Sequence, residues 1–370
     1  MAGNTYALDV NGYTDFNSST TISDGLQWNT TATVQVDAGA DVVVSNPLDS
    51  LTLNMAPAGG GNTSLWINGG TLTASNTGTL LMGNNSMLQI GGAHLGGLDA
   101  TQQGGSSGIL SVGDLKTSSG ATDATIWMFG SSTTTAKLYA DSIDLEADRN
   151  NFNIASAGAS ELAGDIYVKN NMTIINKSGG SFQLLGGSTL DVGGNLYLDT
   201  TNGRLLVTTN DNKGYGINVG GDFTLINNVR LSSNINDVST DAAIYSTVVN
   251  VNGNINLIGQ NVGRKGLQII NGTGSGITTL GNFNISSTVS GNTTDVIFGH
   301  AAKVKSAKDI NISSVAGGGL IFILGTQNMA LQRIFLQIAS PCQGTEKIKS
   351  YSTITNHMES VRIVMYLMCQ

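Results

Sequence analysis

Cysteine is almost missing from this chain. Cys342 and Cys369 are the only two in 370 residues, and both lie near the end. That excludes a disulfide framework and any cysteine-based zinc or redox motif over most of the sequence. It also fits passage through an oxidising compartment, where stray disulfides obstruct export. Charge is scarce too, with 11% Asp, Glu, Lys and Arg against roughly 25% in ordinary domains. The balance is acidic, at a net −8. No basic stripe exists, which argues against nucleic acid and against an anionic membrane surface as partners. There are three prolines. The histidines, His94, His300 and His357, are far apart, with no second ligand at metal-binding spacing. No apolar run is long enough for a transmembrane helix. Met1 to Val10 has neither a basic n-region nor an apolar h-region. An exported body would therefore be a fragment of a longer chain, or one read from a wrong start.

Motifs of catalysis are missing as well. There is no Gly-x-Ser-x-Gly elbow, no Gly-Asp-Ser-Gly and no P-loop. The calcium-binding Gly-Gly-x-Gly-x-Asp nonapeptide does not occur. The stretch Gly91 to Asp99 misses its spacing.

What the chain does have is glycine, 49 of them, with Asn, Ser and Thr at most other polar positions. Ile, Val, Leu and Thr alternate with these, which is not the composition of disorder. A short phrase recurs: a turn of Gly, Asn or Asp, then an apolar residue, any residue, and an apolar residue. It reads Gly113-Asp114-Leu115, Gly164-Asp165-Ile166-Tyr167-Val168 and Gly193-Gly194-Asn195-Leu196-Tyr197-Leu198. It returns as Gly220-Gly221-Asp222-Phe223-Thr224-Leu225, Gly253-Asn254-Ile255-Asn256-Leu257, Gly281-Asn282-Phe283-Asn284-Ile285 and Lys308-Asp309-Ile310-Asn311-Ile312. With Ile143-Asp144-Leu145 included, the first apolar positions are 115, 143, 166, 196, 223, 255, 283 and 310.

A turn and a period-2 strand, repeated at roughly thirty residues, is the pattern of a stacked β-solenoid. Each coil then contacts mainly its neighbours, and like residues lie about 4.8 Å apart, where stacked charges would repel. Gly-Gly pairs such as Gly220-Gly221 read as coil corners and not as nucleotide loops. Gly and Asn suit a corner because both tolerate the left-handed backbone.

Three segments follow. Residues 1–60 are β-rich and read as the first coils. Residues 61–320 hold the parallel repeats. Residues 321–370 form an atypical tail in which the turns stop recurring, read either as a cap over the last coil or as frameshift-derived sequence. Within it, Ala330 to Ile338 and Asn356 to Leu367 read as short helices, the second with Asn356 as N-cap and Glu359 three residues on. Residues 101–108 and 210–216 read as protruding loops that would carry any receptor contact.

Candidate chemistry is sparse, and no cofactor is expected. Asp144, Glu146 and Asp148 would share one outward strand face while Ile143 and Leu145 point inward. Three carboxylates there are the only candidates for a Ca²⁺ site or a glycosidase pair. The competing reading is a solvated face partly neutralised by Arg149. Trp66 and Trp127 sit in apolar strands and read as core, with stacking on a sugar as the alternative. The Asn-x-Ser/Thr triplets at Asn17, Asn29, Asn171, Asn292 and Asn311 are expected by chance in such a composition.

The phrase in Val219 to Leu225 and Val251 to Leu257 resembles that of passenger domains of Gram-negative autotransporters. It is similar also to haemagglutinin-type adhesins and vacuolating-toxin-like passengers. The resemblance covers roughly residues 60–316. It implies an all-β fold, a right-handed parallel β-helix, placed on the cell surface or secreted through an outer-membrane β-barrel translocator in the full-length protein. A long ladder-like surface with no convergent titratable groups reads as a non-catalytic role in adhesion, with a host or neighbouring-cell receptor or glycan as partner. A polysaccharide lyase or hydrolase and a vacuolating-type toxin passenger are the alternatives.

Overall fold

The structure, a computed structural model, describes residues 7–47, 49–75, 77–92, 107–130, 134–155, 162–200, 203–209, 216–227, 242–245, 247–259, 267–270, 276–287, 297–298, 304–314, 321–322, 334–338 and 363–367. All regular secondary structure in them is β, and the fold is a parallel β-solenoid. Among the described residues every strand-to-strand ladder is parallel, and Asp37 and Gly69 form one isolated antiparallel bridge. Three faces wind around one core, and each face is a ladder of strands stacked coil on coil.

The first face carries an unbroken apolar column. It runs Leu8, Leu26, Leu53, Leu80, Leu115, Ile143, Met172, Leu196, Phe223, Ile255, Phe283 and Ile310, each opposite the next. From Leu26 to Phe283 these side chains are buried. The second face stacks Val34, Leu65, Leu88, Ile126, Phe152, Phe182 and Leu205. The third stacks Val42, Leu72, Leu110, Leu138, Ile166, Leu190, Ile217, Val249, Ile277 and Val304. Together they make one continuous hydrophobic cluster. Burial of each such side chain contributes about 1.5–3 kcal/mol. Strand alternation does the sorting, since every second residue of a strand points inward. The strands between Leu8 and Met55 belong to the same ladders as those that follow.

The structure corrects the repeat in one place. Ile166 is not on the first-face column; it lies on the third face between Leu138 and Leu190. Met172, preceded by Asn170-Asn171 without a glycine, takes the place expected for it. Apolar-x-apolar is common to all three faces, so the phrase alone does not say which face a strand joins.

The expected helices are corrected too. Ile334–Ile338 and Ile363–Leu367 are strands that extend the first-face ladder beyond Ile310. The rest of the two expected helical segments lies outside the described residues. Parallel pairing against an existing strand edge competes with local helix propensity, and β-branched Ile and Val favour the strand.

Candidate functional site

The corner between the third and first faces is built from the residue just before each column residue. Asn171 Oδ1 accepts the backbone N–H of Asn195 at 2.8 Å, and Asn195 Oδ1 accepts that of Asp222 at 2.8 Å. Asp222 Oδ1 accepts Asn254 N–H at 2.6 Å, and Asn254 Oδ1 accepts Asn282 N–H at 2.9 Å. Asn282 Oδ1 accepts Asp309 N–H at 3.2 Å. The recurring Asn or Asp thus satisfies a backbone donor that the turn leaves unpaired within its own coil.

That arrangement explains the glycines differently from the left-handed expectation. None of Gly193, Gly194, Gly220, Gly221, Gly253 or Gly281 has a positive φ. They are glycine because the coils approach closely. A Cβ on Gly220 would lie 2.1 Å from the Gly193 carbonyl oxygen, and one on Gly253 would lie 2.2 Å from Asp222 Oδ1. Either would push out the hydrogen-bonded side chain or the neighbouring turn.

A shallow cleft flanks the corner on each side. The cleft on the first face, about 320 Å³, is lined by Asn171, Thr173, Asn195, Tyr197, Asp222 and Thr224. Tyr197 stands between Thr173 and Thr224 in register. Its phenol is held above the usual range by burial and then by Asp199. The cleft on the third face, about 330 Å³, includes Asp191, Asn218, Asn250 and Asn252. Here Asn218 Nδ2 donates to Asp191 Oδ1 at 2.7 Å, and Asn250 Nδ2 to Asn218 Oδ1 at 3.0 Å. The same outward column continues toward the N-terminus as Tyr167 and Tyr139, whose rings stack at 5.1 Å and 11°. Burial, then Asp165, Tyr139 and Asp191, raise the Tyr167 phenol. On the first face a third ladder joins Thr224, Asn256, Asn284 and Asn311 through their side chains. These are side-chain amides and hydroxyls at regular spacing, with the carboxylates of Asp191 and Asp222 and the tyrosine rings among them.

The acidic trio lies where the strand period puts it: Asp144, Glu146 and Asp148 are exposed and alternate with the buried Ile143, Leu145 and Ala147. Glu146 pairs with Lys177 at 2.8 Å, and this contact raises the Lys177 ammonium above its usual range. Arg149 does not serve the trio; it binds Asp123 at 2.8 Å from the adjacent coil. Among the described residues no three His, Cys, Asp or Glu side chains are grouped to hold a metal ion. His94, His300, His357, Cys342 and Cys369 lie outside the described residues, as do 101–106 and 210–215 of the two expected loops.

Trp28 is fully buried, its Nε1 donating to the Ser64 carbonyl at 2.8 Å. Trp66 and Trp127 are not in the central core as expected. They stand on the outward column of the second face, on either side of Gln89. Leu65 and Ile67 take the inward positions that flank Trp66, so alternation turns the indole out. Trp127 lies 5.8 Å from Phe129, and Phe129 is buried although it too points outward. Gln89 Nε2 donates to the Gly91 carbonyl at 2.8 Å, so the chain at Gly91-Gly92 folds over this cluster.

The corner ladder and the tyrosine column were not singled out from the sequence as interacting groups. The corner ladder has a signal in the sequence, an Asn or Asp one residue before each column position from Met172 to Ile310. No family model, no curated protein and no solved structure matches this chain.

Proposed function

We propose that this chain is the elongated passenger part of an exported protein, displayed at a cell surface or secreted, and that it acts by adhesion and not by catalysis. The observation that carries this reading is the outward column Tyr139, Tyr167, Asp191, Asn218 and Asn250. It offers aromatic and amide groups, with the Asp191 carboxylate between them as an acceptor, in a regular row suited to a repetitive ligand rich in hydroxyl groups on another cell. The scarcity of charge lets such rows stack without repulsion. An outer-membrane barrel would be the export partner of the full-length protein.

The test is adhesion of cells that display the full chain, measured against empty display and against a Tyr139→Ser, Tyr167→Ser, Tyr197→Ser version. Adhesion above empty display that drops with the triple substitution supports the reading. No adhesion by the displayed chain overturns it. Equal adhesion by both versions removes the tyrosine faces as the contact surface.

A further inference from the structure

Three Asn-Gly pairs lie wholly within the described residues: Asn11-Gly12, Asn68-Gly69 and Asn252-Gly253. A glycine after asparagine puts no Cβ beside the next amide nitrogen, so that nitrogen can approach the side-chain carbonyl carbon. Whether it does depends on what else holds the two groups. At Asn252-Gly253 the nitrogen is occupied. Gly253 N–H donates to the Gly221 carbonyl at 2.9 Å, and the glycine is packed against Asp222. Asn68 is tied through Nδ2 to Asp37 Oδ1 at 2.9 Å.

Asn11-Gly12 differs in its exposure, in its amide nitrogen and in which atom of the asparagine is held. Both residues are exposed, and open space surrounds Gly12. Gly12 N–H makes none of the backbone hydrogen bonds of the described residues, although the Gly12 carbonyl accepts Thr33 N–H at 2.6 Å. The Asn11 side chain is also activated. Asn29 Nδ2 donates to Asn11 Oδ1 at 2.9 Å, which draws charge from the amide carbon and favours the oxyanion formed on attack.

We infer that Asn11 is a self-modification site, at which the folded chain converts its own asparagine to aspartate and isoaspartate. The Gly12 nitrogen gives its proton to solvent and bonds to Asn11 Cγ. The Cγ–Nδ2 bond breaks, the leaving nitrogen takes a proton back from solvent and departs as ammonia, and a five-membered imide forms. Water then opens either carbonyl, giving the aspartyl or the isoaspartyl product. In total one amide and one water become one acid and one ammonia, with no oxidant or cofactor.

The site is a joint of the first coil. Val10 carbonyl accepts Asn29 N–H at 2.9 Å on one side of Asn11, and Gly12 carbonyl accepts Thr33 N–H on the other. The isoaspartyl product adds a methylene to the backbone between these two bonds, which loosens Tyr13–Phe16 against Thr33–Asp37.

The experiment is incubation of the purified folded chain over a mildly alkaline pH series, with peptide mapping of amide loss and isoaspartate at all three pairs. Asn11 is expected to convert roughly tenfold or more faster than Asn252, and faster as pH rises. In denaturant the two rates should converge. Asn29→Ala should slow Asn11 in the folded chain and leave its denatured rate unchanged, whereas Gly12→Ala should slow it in both. Equal conversion of Asn11 and Asn252 in the folded chain overturns the inference. So does an unmodified Asn11 under conditions where the denatured chain converts.

Discussion

Asn195 and Asp222 are bound across successive coils: the side-chain oxygen of Asn195 accepts the backbone N–H of Asp222 at 2.8 Å. Asp222 repeats the act on Asn254 at 2.6 Å. One side chain per coil therefore closes the turn of the next, and the corner becomes a ladder in its own right.

Truncating a rung of that ladder should destabilise the solenoid locally. Asn195→Ala leaves the Asp222 donor without its partner and is expected to cost about 1 kcal/mol. Asp222→Asn retains the acceptor and should leave the unfolding midpoint close to that of the parent. Urea unfolding of the two variants checks the contrast.

Two glycines separate close approach from backbone conformation. Gly220→Ala puts a methyl 2.1 Å from the Gly193 carbonyl oxygen and is expected to cost about 3 kcal/mol or more. Gly120 has φ +75° with open space around it, so Gly120→Ala meets only the left-handed penalty, about 1 kcal/mol. Thermal unfolding of the pair should rank them in that order.

The aromatic stack of Phe152 on Phe182, at 5.5 Å and 11°, is the bulkiest stacked step in the second-face column. Phe182→Ala removes a fully buried ring and should cost about 3–5 kcal/mol. Phe182→Leu, which matches the Leu205 that follows it in register, should recover most of the loss. Denaturant midpoints give both values.

Alkali should weaken the fold through Tyr167. Burial, then Asp165, Tyr139 and Asp191, raise its pKa above the ordinary 10.0. The folded chain therefore holds the phenol proton more strongly than the unfolded chain does. The stability is complete below pH 10.0 and falls as the pH climbs through the folded pKa, because the unfolded chain ionises first. Tyr167→Phe should lose stability less steeply over that window, as read from denaturation midpoints at a series of pH values.

Alternation made the strands legible from sequence, and Leu196, Phe223, Ile255 and Phe283 fell on one column as the repeat implied. Ile166 did not, because its apolar-x-apolar pattern suits any face. Trp66 and Trp127 face outward despite their apolar strands, because Leu65, Ile67, Ile126 and Met128 take the inward positions beside them. The local pattern of Ala330 to Ile338 suits a helix, but Ile334–Ile338 pairs with the strand edge at Ile310–Ser314, a partner remote in sequence.

The sequence by itself determined the class of fold. A period-2 pattern, regular turns and few charges leave stacked parallel coils as the way to bury Ile, Leu and Val while keeping like residues in register. Only the tertiary structure decided why each corner residue is what it is. The constraint on Gly220 is the Gly193 carbonyl one coil away, and the partner of Asn195 is a backbone donor 27 positions on. Such contacts exist only once the coils are stacked.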